Sequence, residues 1–478
     1  MKPQVYGILN KKEGISMIDP DLEIYYPGQY NAEEQKLVDA LTAQVQAVNE
    51  AAAHVVLEDL PLVQPADAFE MLLYNKMLLP ETRLYTDQAY AQKSRNLGLV
   101  AAPNFRDFGD CYPKIPRTYG HFGRPYNFDE PLYMDHMNYY YAPIRPGDSF
   151  RVVVEHHEFK DITPAEGSNT RTFYLMGRGA MYNQRGELVM RCEKRAQDAY
   201  WNFADPSRPK ENAEMPMGSS SRPVHQYTQA DWEKIWDLYD QEYARGAEIL
   251  YWDDVKIGDE PAPTIEGPMT TMDFIRFDGM RILKQPAIHQ TPRPGSFGPP
   301  GEGPEGLGDL GPVQAGAQKQ APPAAPAPMS PLPMEQDRYG IYHSGQEEGF
   351  TDRNGAGEMP HFHNTLARNM TVRTFVNWMG DAGILRSLGW RIIVETPSSP
   401  NPFPADSDRP SYLLKVPYMK GRYVNIKGKG GDLVICRAYV TDKFLVNGQA
   451  LVELVCWCQT IDGDILGEGI ATVELPRR

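Results

Sequence analysis

Apolar and polar positions alternate along two stretches of this chain, and they do so in the same order. The first runs from Gly147-Asp148 through SFRVVVEHHEF to TRTFYLMGRGAMYNQRGELVMRCEKRA, the second from Gly431-Asp432 through LVICRAYVTDKF to QALVELVCWCQTIDGDILGEGIATVEL. Val152 with Val154, and Leu454 with Cys456 and Cys458, recur every second residue, which predicts strands with one face on a core. Each copy opens on a Gly-Asp turn and contains a tight Gly turn. The repetition predicts two similar halves folded face to face, enclosing a cleft at their seam.

Outside these stretches the period changes to three or four residues. Leu37, Val38, Leu41, Val45 and Val48 predict an amphipathic surface or interface helix in AEEQKLVDALTAQVQAVNEAAAHVV. A second helical stretch, ADAFEMLLYNKMLL, begins at Ala66. A third begins at the capping pair Thr228 and Asp231, with Trp232, Ile235, Trp236, Tyr239 and Tyr243 on one stripe. Phe375, Trp378, Met379, Ile384, Leu385 and Leu388 predict a long apolar-sided helix, where Gly380 permits close approach of another backbone. A long helix before an antiparallel sheet is the order of a hot-dog half.

From about 291 to 345 the composition turns to proline and glycine (GPPGEGPEGLGDLGPVQAGAQKQAPPAAPAPMSPLP). Such a stretch buries too little apolar surface to offset its ordering entropy, which predicts a mobile insertion. The chain then divides into an extension at 1–62, a first half at 63–205, a linker with a helix at 206–248, and a second half at 249–478.

The length of 478 residues allows more than one core, and the net charge of −15 argues against a nucleic-acid surface. No run reaches the roughly 18–20 apolar residues of a membrane span, and MKPQVYGILNKKEG lacks an apolar leader, so a cytoplasmic protein is expected. Five cysteines, Cys111, Cys192, Cys436, Cys456 and Cys458, are odd in number and lie mostly in strand patterns, which predicts packing rather than disulfides. His361 and His363 flank Phe362, with Glu358 as the nearby acid. That set falls short of the three or four ligands a metal needs, and no metal is expected.

The pairing of LYTDQAYAQKSRNLGLVAAPNF with IRPGDSFRVVVEHHEF, and of YWDDVKIGDEP with VNWMGDAGILRSLGWRI, resembles the MaoC-like acyl dehydratase family. The likeness is to its two-domain form, with a fatty-acid-synthase-type dehydratase as the N-terminal half, and it spans about Ala66 to Leu475 outside the insertion. The resemblance implies an α+β double hot-dog fold, with two antiparallel sheets each wrapping a long helix. It also implies reversible hydration of an enoyl thioester, with coenzyme A, or alternatively an acyl carrier protein, as carrier and no further cofactor. Hot-dog halves bury their edges by pairing, so a homodimer or higher homo-oligomer is expected, through the N-terminal helix.

In the family's hydratases an Asp and a His five residues later act on the water, in a segment read as Gly-Asp-x-Asn-Pro-Ile-His. The matching segment here is MRILKQPAIHQ, which keeps Ile288 and His289 but has Lys284 five residues before the histidine. Asp278 is the nearest upstream carboxylate. The resemblance therefore implies His289 as general base and acid and Asp278 as its partner. Lys284, by its charge, and His361, where the chain returns from the insertion, are expected to reach substrate. In the first copy Tyr85 falls at the histidine's place and Pro80 at the aspartate's, so that half is expected to be silent and to supply pocket wall. A thioester-binding subunit without catalysis, and a thioesterase, are the alternatives.

Overall fold

The computed structural model describes residues 26–30, 32–62, 65–106, 133–163, 170–201, 225–269, 273, 335–336, 342–343, 364–393, 411–419 and 430–478. The helices used below are α1 (Ala32–Ala52), α2 (Ala68–Leu78), α3 (Arg83–Thr86), α4 (Gln88–Ala91), α5 (Gln229–Gln241) and α6 (Asn364–Met379). The strands are β1 (Tyr133–Tyr140), β2 (Phe150–Asp161), β3 (Thr170–Asn183), β4 (Leu188–Trp201) and β5 (Thr264–Glu266). They continue as β6 (Ile384–Ile393), β7 (Val434–Val446), β8 (Gln449–Gln459) and β9 (Ile465–Glu474).

The two alternating stretches form β2-β3-β4 and β7-β8-β9, as their period requires. Gly147 and Gly431 both take left-handed φ values, +83° and +87°, at the turns that open them. Asn447 and Gly448, with φ of +50° and +83°, make the tight β7-β8 turn. The expectation of two separate sheets gives way to one: the nine strands run β2-β3-β4-β1-β6-β9-β8-β7-β5, and all their pairings are antiparallel. The order is a mirrored pair, in which β1 and β6 occupy equivalent places and join the halves at the centre. His136 stands opposite Trp390, and Asn138 opposite Leu388.

The helix expected to include Ile384, Leu385 and Leu388 ends at Met379. Gly380 has φ +63°, and an added Cβ there would stand 2.8 Å from the Gly246 carbonyl, so the chain turns before those residues enter β6. Along α6 every described side chain except those of Arg373 and Trp378 is buried, the pattern of a helix enclosed on all sides. It lies along a floor of small residues. A Cβ at Gly467 would meet the Trp390 ring at 2.4 Å, and one at Gly469 would meet Cys456 Sγ at 2.7 Å. Cys458 Sγ approaches the Ala367 carbonyl at 3.8 Å, and the Thr264 and Thr374 hydroxyls share a hydrogen bond of 2.6 Å. No helix equivalent to α6 packs on the first half among the described residues. One apolar core nevertheless runs through both halves, from Met71 and Phe150 to Phe375 and Val473.

Side chains cap both outer edges of the sheet. Asn49 of α1 donates to the His157 carbonyl at 2.9 Å and accepts from the His157 N–H at 2.7 Å, mimicking a neighbouring strand on β2. On β5, Glu242 accepts from the Ile265 N–H at 2.7 Å and Arg373 donates to the Ile265 carbonyl at 2.6 Å. Such caps leave less free backbone for another chain to pair with. Helix α5 has the expected Thr228–Asp231 capping box, but its buried residues are Ile235 and Leu238, whereas Trp236 is 53% exposed. No helix among the described residues is long and apolar enough to cross a membrane.

Candidate functional site

Each half contains the same backbone clamp. In the first, the Ala66 N–H donates to the Asp148 carbonyl at 2.7 Å and the Gly147 N–H to the Ala66 carbonyl at 2.8 Å. In the second, Met269 bonds Asp432 at 2.8 Å and Gly431 bonds Met269 at 2.7 Å in the same two directions. Ala66 and Met269 are therefore equivalent residues. Counting forward from each, Asn75 and Asp278 both fall nine residues on, while Tyr85 and His289 fall nineteen and twenty residues on.

Asp67 caps α2 by accepting from the Phe69 and Glu70 N–H groups at 2.9 Å each. One helical face then carries Met71, Tyr74, Asn75 and Leu78 into the core. Asn75 is fully buried and ties three strands of chain together. Its amide donates to the carbonyls of Tyr85 at 2.8 Å and Val100 at 2.9 Å, and its Oδ1 accepts from the Ala102 N–H at 2.7 Å. Tyr85, on α3, is buried, and burial pushes its hydroxyl up to about 12 despite the opposing charge of Arg95. It therefore stays a neutral phenol near neutral pH.

The segment after Tyr85 grips the end of α6. The Tyr90 hydroxyl donates to Asp381 at 2.5 Å, and Arg95 donates to the carbonyls of Ala382 at 2.8 Å and Gly383 at 2.5 Å. The hydrogen bond to Asp381 raises the Tyr90 pKa, and burial lowers that of Arg95. At the seam itself Asn138 and Trp390 face the core, both fully buried. Arg368 and Asn369 bring further buried polar groups in the first turns of α6. A helix cannot satisfy its own first N–H groups, which carry partial positive charge, so this end of α6 suits an oxygen that gains negative charge.

Of the residues expected to act, Tyr85 is placed as described, while Asp278, Lys284, His289 and His361 lie outside the described residues. Among the described residues, no group of three or more His, Cys, Asp or Glu side chains is placed to hold a metal. The structure adds Asn75, Asn104 and Asn138, which the sequence reading passed over. Asn75 sits in the apolar run MLLYNKMLL, and a polar residue surrounded by leucines and methionines was the available signal. Asn138, flanked by Met137 and Tyr139, gave the same signal.

No family model matches the chain, and no curated protein does. Solved structures do. A MaoC-like dehydratase has a TM-score of 0.44 and 14% identity, covering 88% of this chain and 100% of its own. A MaoC domain dehydratase from Chloroflexus aurantiacus scores 0.40 at 12% identity, covering 89% of this chain and 98% of its own. A Mycobacterium tuberculosis protein described as having a double hotdog fold scores 0.40 at 8% identity, covering 87% and 94%. The solved structures to which this chain is similar thus include MaoC-like dehydratases, the family that the order of its segments resembles.

Proposed function

We propose that the chain is a double hot-dog hydro-lyase that adds water to, or removes it from, an enoyl or 3-hydroxyacyl thioester, with coenzyme A as the carrier. His289 is the general base and acid, and Asp278 its partner. The observation that supports this assignment is the bond from Asn75 to the backbone of Tyr85, since Asn75 and Asp278 each fall nine residues beyond their clamp residue while Tyr85 and His289 fall nineteen and twenty beyond. The first half keeps an amide there, which donates to carbonyls. Aspartate at the same place has no such donor when ionised and accepts instead, which is what an imidazole N–H requires.

In the hydration direction the water oxygen bonds to the β-carbon as the His289 imidazole takes one of the water's protons. The electron pair of the carbon–carbon double bond moves toward the thioester oxygen, which is stabilised by N–H groups at the start of α6. The α-carbon then receives a proton, and the carbon–sulfur bond stays intact throughout. Lys284 and His361 serve substrate contact, and Tyr85 lines the silent half.

The test is a panel of enoyl-CoA esters followed by two readouts at once, loss of the conjugated thioester chromophore and release of free thiol. Chromophore loss without thiol release supports hydration. Thiol release identifies a thioesterase, and binding without either change identifies a non-catalytic subunit; each of those two results overturns the proposal.

A further inference from the structure

Two buried side chains at the seam use only part of their hydrogen-bonding capacity. Asn138, on β1, is fully buried between Cys192 of β4 and Leu388 of β6, both themselves fully buried in the core. Its Nδ2 donates to Asn104 Oδ1 at 2.8 Å, and the Tyr140 hydroxyl donates to the same oxygen. Asn104 is 4% exposed and holds a left-handed φ of +66°. The segment that carries it is fixed at Ala102 by Asn75, at Ala101 by the Ile144 carbonyl, and at Phe105 by an edge contact with Tyr74. Asn104 Nδ2 and Asn138 Oδ1 are left buried without a partner.

An unmatched buried amide group is costly, whereas a pair of apolar residues here would pack against Cys192 and Leu388 without that cost. The arrangement presents one donor and one acceptor from a rigid frame, and neither is a formal charge. Arg106, two residues from Asn104, is engaged by Glu70 at 3.3 Å and by the Pro65 carbonyl at 2.8 Å. The free groups match a hydroxyl or an amide better than a carboxylate or an ammonium.

We propose that Asn104 and Asn138 recognise a neutral hydroxyl or amide group of the thioester ligand at the seam, which selects a thioester with a polar group at that depth. The ligand class rests on the hydro-lyase reading. Such a group lies either on the acyl chain or on the pantetheine arm.

The experiment is calorimetric binding of a saturated acyl-CoA and its terminally hydroxylated counterpart, neither of which can be hydrated, to the full chain, to Asn138→Leu and to Tyr140→Phe. Asn138→Leu is expected to bind about tenfold more weakly, the worth of one or two neutral hydrogen bonds. Tyr140→Phe, which keeps the ring that packs against the core and removes the hydroxyl that donates to Asn104, is expected to weaken binding about threefold and serves if Asn138→Leu does not fold. Weakening confined to the hydroxylated ester places the group on the acyl chain, and equal weakening of both places it on pantetheine; either supports the site. Unchanged binding of both esters by the folded variants overturns it and assigns the two atoms to buried water. Failure of the unaltered chain to bind either ester contradicts the thioester reading itself.

Discussion

Asn75 donates its side-chain amide to the Tyr85 carbonyl across 2.8 Å, and the same side chain reaches Val100 and Ala102. One buried residue thereby fixes the helix, Tyr85 and the segment leading to Asn104. Asn75→Ala strands two carbonyls and one N–H in the core, and is expected to destabilise the chain by about 2–4 kcal/mol. Urea unfolding followed by circular dichroism measures it. A loss under about 0.5 kcal/mol, the level of an ordinary surface substitution, would remove Asn75 as the organising residue.

Arg391 and Glu468 stand opposite one another on β6 and β9, on the sheet face away from α6, and both are buried. Glu468 also accepts from the Ser411 hydroxyl at 2.6 Å and from the Tyr412 and Leu413 N–H groups at 3.2 Å each, and Arg391 lies 3.7 Å over the Tyr412 ring. The pair pins Tyr412–Lys415 over an apolar cluster of Leu413, Val416, Met419 and Trp457. Glu468→Ala leaves a buried guanidinium without its counter-charge and is expected to cost about 3–5 kcal/mol. Replacing both residues with apolar ones of similar volume should cost less than the single change. A double-mutant cycle by chemical denaturation gives the coupling, and additive costs would contradict it.

His157 makes stability depend on pH. Burial, reinforced by the charge of His156, lowers its pKa from 6.5 to about 4. The unfolded chain thus takes up a proton between these values that the folded chain refuses, so stability falls as pH drops from about 6.5 to about 4. Above that window both states are neutral and the contribution vanishes. The full effect is about 3 kcal/mol at most. His157→Gln should flatten the stability curve across this window, and a variant curve parallel to that of the unaltered chain would refute the assignment.

Cys436 Sγ and Cys458 Sγ lie 3.4 Å apart beneath α6, with Cys456 beside them on the same face. Burial pushes the thiols of Cys456 and Cys458 well above the usual range, so they stay protonated and unreactive. Alkylation followed by mass mapping should label both only after denaturant unfolds the chain. Labelling of either in the native protein, at the rate of an exposed thiol, would contradict their place under α6.

The strand units were legible because period-two alternation and Gly-Asp turns are local signals. The joint between β1 and β6 was not, since its partners Asn138 and Leu388 are far apart in the chain and no local pattern announces their pairing. Ile384, Leu385 and Leu388 continue the spacing of α6 by coincidence, and only the backbone at Gly380 breaks it. Trp236 fitted the stripe of α5 yet faces outward, because the helix turns Ile235 and Leu238 onto β5 and its neighbours instead. For the site, the order of segments led to Tyr85 and His289. Asn75 and Asn138 emerged only from contacts, since burial of a lone asparagine is a property of the folded neighbourhood.

Under the proposed mechanism the second half works through His289, while the first half, with Tyr85 at the corresponding point of its sequence, does not. The most direct measurement is the hydration rate of an enoyl-CoA ester by the unaltered chain, His289→Ala and Tyr85→Phe, with melting temperatures taken alongside. A fall of about 10²–10⁴-fold in His289→Ala, with an unchanged melting temperature and near-normal turnover in Tyr85→Phe, is the predicted result. Undiminished hydration by His289→Ala would contradict the account.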